Sequence, residues 1–533
     1  MKTMKDTNSK EEVKQNGKNA KGRSKTKYTR KSTKRNNNNA NSDSANLDSA
    51  NRDNDPNWYY LNAEIANQAS SFSFDQFLGV NTPLNAITKY GVVSKHQVPL
   101  PSIMTVELNP CPGNTTSIQT GINMAALKMY TVLSSNNAKT TNYAPQDLTM
   151  LMLSLGEIIS IMEHIRRTFG VAFTYNQRNR SMPKLLIQSM GFSPDDFLSD
   201  MAQHRLQFNS WVTAVNKIPF LSNIAYFYKC ADLYQKVYTD SESAMAQLYV
   251  FKPYSTWVLN ETYDDNGSGL TTKVLPTKGT WNTWAQIVES MIDALFESTT
   301  FNYIYADVLN YASKTGAKTM YLDYLVEGYQ VIPEYNRNAL LQIHNVYLAG
   351  RPNLLQTSAA YTKGNDVASL ANKNMVKYSP TFTSTTQHYT SLIVDMDTPN
   401  PTLEDRIEAT RFQSVQGKVV TVSGTNYAVF TALPDHYAVQ INVYTDSDSV
   451  ETFSSTAITT ETATGETNLE LFSDITKFDW APLFYMSDML PDSDLDNDCI
   501  TYIQGDLNYY TTLGEDWYNK VNDLTFMALF ELR

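Results

Sequence analysis

Apolar residues along this chain recur in two rhythms, one helical and one extended, and the rhythms divide it into regions. The longest helical run begins at Tyr143-Ala144-Pro145-Gln146-Asp147. Pro145 suits a first helical position and Asp147 the first turn. Leu148, Leu151, Met152, Leu155, Ile158, Ile159, Met162 and Ile165 follow at helical spacing, while Met150, Leu153 and Ile161 occupy the opposite side. A helix apolar all round is a core helix. Arg166 and Arg167 are expected to meet the negative end of its dipole, and Gly170 to supply a left-handed stop. A second helix is predicted from Ser193-Pro194-Asp195-Asp196 towards Ile218, with Phe197, Met201, Phe208, Trp211, Val212 and Val215 as its apolar positions and Pro219 as its end. Leu221 to Tyr238 gives a Tyr-rich helix. After Thr280, the residues Trp284, Ile287, Val288, Met291, Ile292, Leu295 and Phe296 fall at i, i+3, i+4, i+7, i+8, i+11 and i+12. This is the clearest amphipathic pattern in the chain, and it is expected to restart near Thr299 and reach Tyr311. Further helices are predicted at Pro333 to Leu348, ending before Gly350-Arg351-Pro352, and at Glu515 to Leu532.

Extended patterns are fewer. Residues 61–110, broken by Pro83, Pro99, Pro101 and Pro110, read as loops, short helices and one or two strands. Gln247 to Val258 is β-rich and leads to an Asp264-Asp265-Asn266-Gly267 turn. From 376 to 475 the composition shifts to Thr, Ser and Val. Lys418 to Val422 and Tyr427 to Ala432 flank a Ser423-Gly424-Thr425-Asn426 turn. Tyr437, Val439, Ile441 and Val443 then alternate with Ala438, Gln440, Asn442 and Tyr444, a period of two. This stretch reads as a small β-rich insertion. The fold class is therefore mainly α (α+β): a large helical region with a smaller β-containing one.

Charge changes the picture at the N-terminus. Residues 1–35 hold thirteen basic side chains against Asp6, Glu11 and Glu12, a formal +10 in a chain of −11, which leaves −21 on the remaining 498 residues. With almost no apolar side chains, residues 1–55 cannot offset a backbone ordering cost of about 1–2 kcal/mol per residue, so a disordered basic arm is expected. Residues 36–55, with the tandem Ser44-Ala45-Asn46-Leu47-Asp48 and Ser49-Ala50-Asn51-Arg52-Asp53, read as a flexible linker with a reach of about 25 Å. Folded structure is expected from Asp55-Pro56-Asn57-Trp58-Tyr59-Tyr60. The arm is the candidate nucleic-acid site, carried by Lys10, Lys14, Lys18, Lys21, Arg23, Lys25, Lys27, Arg30, Lys31, Lys34 and Arg35. Tyr28 is its only aromatic residue, so binding is expected to be electrostatic and blind to sequence rather than by base stacking. Its plainer readings are a solubilising tail or a nuclear-targeting run.

Other chemistry is sparse. Cys111, Cys230 and Cys499 form no disulfide framework or zinc spacing, which suits a reducing compartment. No apolar signal core stands at the N-terminus, and the stretch from Leu148 to Met162 is short for a bilayer and interrupted by Glu157. A soluble intracellular product is expected. The sequence shows no phosphate-binding Gly-Lys-Ser/Thr loop, dinucleotide fingerprint or nucleophile elbow. The six histidines are scattered, and His164, His204 and His344 read as hydrogen-bonded structural groups. Asp492 to Asp498 has the acidic spacing of a calcium loop, but Asn497 replaces its glycine and Ile503 its bidentate Glu. Asp195 and Asp196 are explained by helix capping. No catalytic residue, metal or cofactor is nominated. Aromatic content of 12%, with 33 Tyr, suits an assembling or ligand-binding surface.

The chain resembles picobirnavirus capsid proteins in the order and spacing of several pieces. These are the Lys/Asn-rich arm running into Asp55-Pro56-Asn57-Trp58-Tyr59, Ala69-Ser70-Ser71-Phe72-Ser73-Phe74, and Ile122-Asn123-Met124-Ala125-Ala126 before the core helix. Tyr175-Asn176-Gln177-Arg178-Asn179-Arg180, Ser189-Met190-Gly191 and Ala244-Met245-Ala246-Gln247-Leu248-Tyr249-Val250-Phe251-Lys252-Pro253 follow. The resemblance is good over residues 55–255 and general beyond. It implies a structural protein of a non-enveloped virus with a segmented double-stranded RNA genome. Such a protein pairs as intertwined homodimers that tile an icosahedral shell, with its basic arm on the RNA inside. The implied partners are further copies of the chain, viral RNA, the viral polymerase and a host membrane contacted on entry; the implied location is the virion, assembled in the host cytoplasm. Combined with composition, it gives residues 56–260 as a helical shell region and 261–375 as its continuation or the start of a projection. Residues 376–475 then form a β-rich projecting segment, and 476–533 a helical return to the body. A soluble carbohydrate- or ligand-binding protein with a basic tail is the alternative from another class, and a hydrolase a third.

Overall fold

The structure, a computed structural model, describes residues 62–532 with breaks at 74–77, 80, 116, 138–140, 175–181, 242–245, 265–266, 350–359, 363–374, 379–380, 384–389, 423–424, 446–449, 460–471 and 489–498. The chain divides into two compact units, residues 1–74 and 75–533. In the first, helix α1 (Ala63–Ala69) is capped by Asn62, whose side chain accepts from the Glu64 amide at 2.9 Å.

The second unit opens with strands β1 (Thr82–Ile87), β2 (Val93–Val98) and β3 (Ile103–Pro110). Helices α2 (Gly121–Ser135), α3 (Pro145–Thr174), α4 (Met182–Ser189), α5 (Pro194–Ser199), α6 (Met201–Val215) and α7 (Ala225–Gln235) follow. Next come β4 (Tyr238–Thr239), β5 (Leu248–Pro253), β6 (Ser255–Asp264) and β7 (Gly267–Val274), then α8 (Trp281–Glu297), α9 (Thr299–Thr315) and α10 (Arg337–His344). The remainder is β8 (Ala360–Thr362), β9 (Met375–Lys377), β10 (Thr381–Thr383), β11 (Ser391–Met396), α11 (Leu403–Ala409), β12 (Val415–Val422), β13 (Thr425–Ala432), β14 (His436–Tyr444), β15 (Val450–Phe453), β16 (Ala457–Thr459), β17 (Phe484–Asp488), β18 (Cys499–Gln504), β19 (Tyr509–Gly514) and α12 (Glu515–Leu529).

The core is built around α3. Its 30 residues rise about 45 Å, and every residue from Leu148 to Ala172 except Arg166 is buried. Length and composition would let it cross a membrane, but its apolar window is wholly covered by the protein. Helices α2, α4, α7 and α8 pack around it. The helix does not stop at Gly170 as its sequence suggests. It continues to Thr174, and Gly170 serves a close approach instead: a Cβ there would stand 2.4 Å from Val331 Cγ2 and 2.9 Å from the Val331 backbone nitrogen. Arg167 is likewise not at a helix end. Fully buried, it donates to the carbonyls of Lys236 at 2.9 Å and Phe251 at 2.8 Å, and to His164 Nδ1 at 2.9 Å.

Five strands in the order β15-β14-β3-β5-β4 form the central sheet. Strands β3 and β5 run parallel, while β14 is antiparallel to β3. All three are buried along their full length. One face carries Met104, Val106, Leu108, Tyr249, Phe251, Ile441 and Val443 into an apolar cluster. The other face holds a polar group. Lys252 Nζ lies 2.6 Å from Glu107 Oε1, Gln440 Nε2 donates to Glu107 Oε2 at 2.6 Å, and Asn442 Nδ2 donates to Glu107 Oε1 at 2.8 Å. Thr452 Oγ1 then donates to Asn442 Oδ1 at 2.7 Å.

Within the β-rich stretch, β14 is a central strand of the main sheet. Its period of two was visible in sequence, but the polar alternation marks a buried hydrogen-bonded face rather than a solvated one. Other expectations hold with adjusted ends. The helix from Pro194 breaks at Asp200, whose side chain accepts from the Gln203 amide at 3.2 Å and caps α6. Ser298 separates α8 from α9 as their shared cap. Asp264 pairs with Gly267 across the predicted turn. Helix α10 is shorter than its pattern, and its Gly350-Arg351-Pro352 stop lies outside the described residues.

Glu157 sits mid-way along α3, fully buried, with Thr256 Oγ1 donating to its Oε2 at 3.2 Å. Burial pushes its carboxyl up to about 8, with the Thr256 bond opposing the shift. The folded protein thus keeps a proton that the unfolded chain releases near its ordinary value of 4.5, and stability falls as pH rises through that window. Glu157→Gln removes the slope. Its unfolding temperature should gain on the wild type between pH 5 and 8, by an amount equivalent to a few kcal/mol at most. Thermal unfolding of both proteins across that range checks this; a difference independent of pH would contradict it.

Candidate assembly surface

Helix α9 ends at Gly316, and α10 begins at Arg337. The 20 intervening residues carry no regular element beyond isolated bridges. A connection of that length inside a compact unit is normally loose or functional. Here it is tied down as a strap. Asn209 of α6 and Asn216, its C-cap, each use both ends of the side-chain amide on the strap's backbone. Asn209 accepts from the Leu325 amide at 2.8 Å and donates to the Leu325 carbonyl at 3.1 Å. Asn216 does the same to Leu322 at 2.7 and 2.9 Å. Seven helical residues rise about 10.5 Å and three extended ones span about 10 Å, so the two clamps are in register. Backbone bonds from Met320 to Phe220 at 2.7 Å and from Glu334 to Val237 at 3.0 Å hold the flanks.

The clamps decide which side chains face outward. Met320, Leu322, Leu325 and Val331 are buried, leaving Tyr321, Tyr324, Val326, Ile332 and Tyr335 exposed, with Leu206 of α6 and Phe173 of α3 also exposed. An apolar cleft of about 290 Å³ opens where Phe169 and Phe173 meet Met201, Leu325 and Val326. Arg205 Nη2 and Glu327 Oε2 stand 3.7 Å apart on its lining. An exposed apolar surface of this kind is a candidate contact surface for a protein, a membrane or a ligand.

The predicted nucleic-acid residues, Lys10 to Arg35, lie outside the described residues, as does the acidic stretch Asp492–Asp498. His164, His204 and His344 behave as structural groups. His164 Nδ1 accepts from Arg167 at 2.9 Å, so Nε2 carries the proton and donates to the Met190 carbonyl at 2.9 Å. Burial first, then the adjacent Arg167 cation, holds His164 well below the usual imidazole range and neutral. His204 contacts the Phe197 carbonyl at 3.1 Å, and His344 the Ala481 carbonyl at 2.7 Å and Asp395 at 3.3 Å. Cys111 and Cys230 are buried, and burial raises both thiols far above their ordinary value. Among the described residues, no three His, Cys, Asp or Glu side chains gather as metal ligands. The strap was missed in sequence because its pattern, Tyr321-Leu322-Asp323-Tyr324-Leu325-Val326, fits neither period; its only signal was the excess of Tyr.

The fold is shared with a virus capsid, whose X-ray structure superposes with a TM-score of 0.76 at 19% identity, over 90% of this chain and 98% of the other. That structure is of the picobirnavirus capsid. A family model described as the picobirnavirus capsid protein matches residues 58–463, and the chain belongs to that family. The chain is also similar to a capsid protein precursor of human picobirnavirus (strain Human/Thailand/Hy005102/-), 23% identical over 471 residues, which are 81% of this chain and 84% of the relative. The match extends well past residue 255, where the sequence resemblance was good. Membership makes this a structural component of a virion that assembles with its own copies, not an enzyme, and displaces the ligand-binding and hydrolase alternatives.

The clamps are separable from the core. Asn209→Ala with Asn216→Ala leaves backbone groups of Leu322 and Leu325 unpaired, at about 1–3 kcal/mol each. Amide exchange at Leu322 and Leu325 should rise at least about tenfold while the amides of β3 and β5 keep their protection. Unchanged exchange at both leucines would contradict the strap's mode of attachment.

Proposed function

We infer that the chain assembles as homodimers into an icosahedral shell enclosing a segmented double-stranded RNA genome. In this reading its basic arm holds the RNA without reading sequence. The observation that carries it is the division of charge within a capsid protein: +10 over residues 1–35 and −21 over the rest. Phosphates attract the arm and repel the body, so RNA contact falls on Lys10, Lys14, Lys18, Lys21, Arg23, Lys25, Lys27, Arg30, Lys31, Lys34 and Arg35. Residues 36–55 give the arm its reach.

Residues 56–260 and part of 261–375 make the wall in this reading. Since β14 belongs to the central sheet, the outward projection consists of the smaller sheets around it, β10-β13-β12 and β16-β17-β18. Residues 476–533 return to the wall through α12, where Asp523 Oδ1 accepts from the Gly121 amide at 2.9 Å. The viral polymerase and a host membrane are further partners of such a shell, and assembly would take place in the host cytoplasm; no residue is assigned to these.

The arm supplies the test. Full-length protein and a variant lacking residues 1–45 should both give uniform closed particles by electron microscopy. Only the full-length particles should carry nucleic acid, measured by ultraviolet absorbance ratio. Equal RNA content in the two would contradict the arm's role, and a strictly monomeric wild type would contradict the shell.

A further inference from the structure

The hairpin β1–β2 differs from the rest of its unit. Among the described residues its strands pair only with each other, from Thr82↔Val98 to Ile87↔Val93, and no residue from Asn81 to Val98 is buried. A lone two-stranded ribbon is marginal in water because it has no third layer to cover it. Its tip is also apolar. Ile87, Tyr90, Val92 and Val93 are 77, 82, 62 and 59% exposed. The turn that presents them is closed by the Thr88 amide on the Val92 carbonyl at 2.8 Å and the Gly91 amide on the Thr88 carbonyl at 2.9 Å. Strands of six residues reach about 20 Å, so the tip stands well away from the base, where the Gly79 amide meets the Leu100 carbonyl at 2.8 Å.

Charge adds a direction. From Asn81 to Val98 the chain holds Lys89 and Lys95 and no acidic residue. Lys89 Nζ lies 5.5 Å from the Tyr90 ring centroid, so cation and apolar tip are presented together.

We propose that the hairpin is a docking arm whose tip, Ile87, Tyr90, Val92 and Val93, seats on an apolar surface of a second copy of this chain. The proposal rests on the shell reading above. Its occupant follows from three features: a capsid protein is surrounded by its own copies, the hairpin is cationic where the body is strongly acidic, and the tip's exposed groups are aliphatic and aromatic. RNA would be drawn to Lys89 and Lys95 but gains nothing from Ile87, Val92 and Val93, so a protein surface is the better match.

Hydrogen exchange on wild-type particles and on dissociated subunits tests this without any mutation. Amides of Thr88 to Val93 should exchange at least about tenfold more slowly in the particle, and the protection should survive nuclease and high-salt removal of RNA. A full-length variant carrying Ile87→Ser, Tyr90→Ser, Val92→Thr and Val93→Thr should keep the wild-type unfolding temperature but lose at least about tenfold in particle yield. Equal exchange in particle and subunit overturns the proposal, as does protection that disappears with the RNA or a variant that assembles normally. Absence of particles from the wild type would instead count against the shell reading itself.

Discussion

Three segments that are hundreds of residues apart in sequence meet at one buried carboxylate. Glu107 on β3 receives Lys252 from the parallel neighbour β5, and Gln440 and Asn442 from the antiparallel neighbour β14. The three strands come from different parts of the chain, and all four side chains are almost wholly buried. A lone charge in that position would be very costly, so the strands can pair only in the register that satisfies it. A slip of one residue would turn Glu107 into the apolar cluster on the opposite face of the sheet. The group therefore adds less in net stability than in uniqueness, a role for which buried polar networks are suited. The long helix α3 is tied to the same sheet, since Arg167 donates to the Phe251 carbonyl of β5, and to the neighbouring sheet, since Thr256 of β6 donates to Glu157.

Local chemistry was legible in the sequence, and long-range chemistry was not. Pro145 with Asp147, the helix start after Thr280 and the restart near Thr299 were readable because their signals lie within a turn of the feature they specify. The period of two in Tyr437 to Tyr444 was equally visible, yet it could not tell a solvated polar face from one paired to a carboxylate more than three hundred residues away. Gly170 and Arg167 were misread for a related reason. A glycine and a cation near an apparent helix end fit a stop, whereas here each answers to a distant segment, Val331 in one case and the carbonyls of Lys236 and Phe251 in the other. Gly191, by contrast, is a helix stop set by local contacts. Its φ of +86° ends α4, with the Phe192 amide on the Ile187 carbonyl at 3.2 Å and the Gly191 amide on Gln188 at 2.8 Å, all within six residues.

The functional surface followed the same rule. The basic arm is a compositional feature and was plain at once. The strap and the hairpin tip depend on which side chains the fold leaves uncovered, and that was fixed only by clamps such as Asn209 and Asn216. In a capsid protein such surfaces need not bind strongly. Contacts repeated over many copies reinforce one another, so surfaces that are each weak per copy can be decisive together.

One buried polar group joins the remote segments into a single body. A double-mutant cycle at Glu107 and Lys252 tests it most directly, read by denaturant unfolding of the purified protein. Glu107→Leu and Lys252→Met made singly should each cost about 3–5 kcal/mol by stranding the other charge, while the double variant should cost clearly less than either. Single losses that simply add in the double variant would show that the pair does not act as a unit, and would contradict the account.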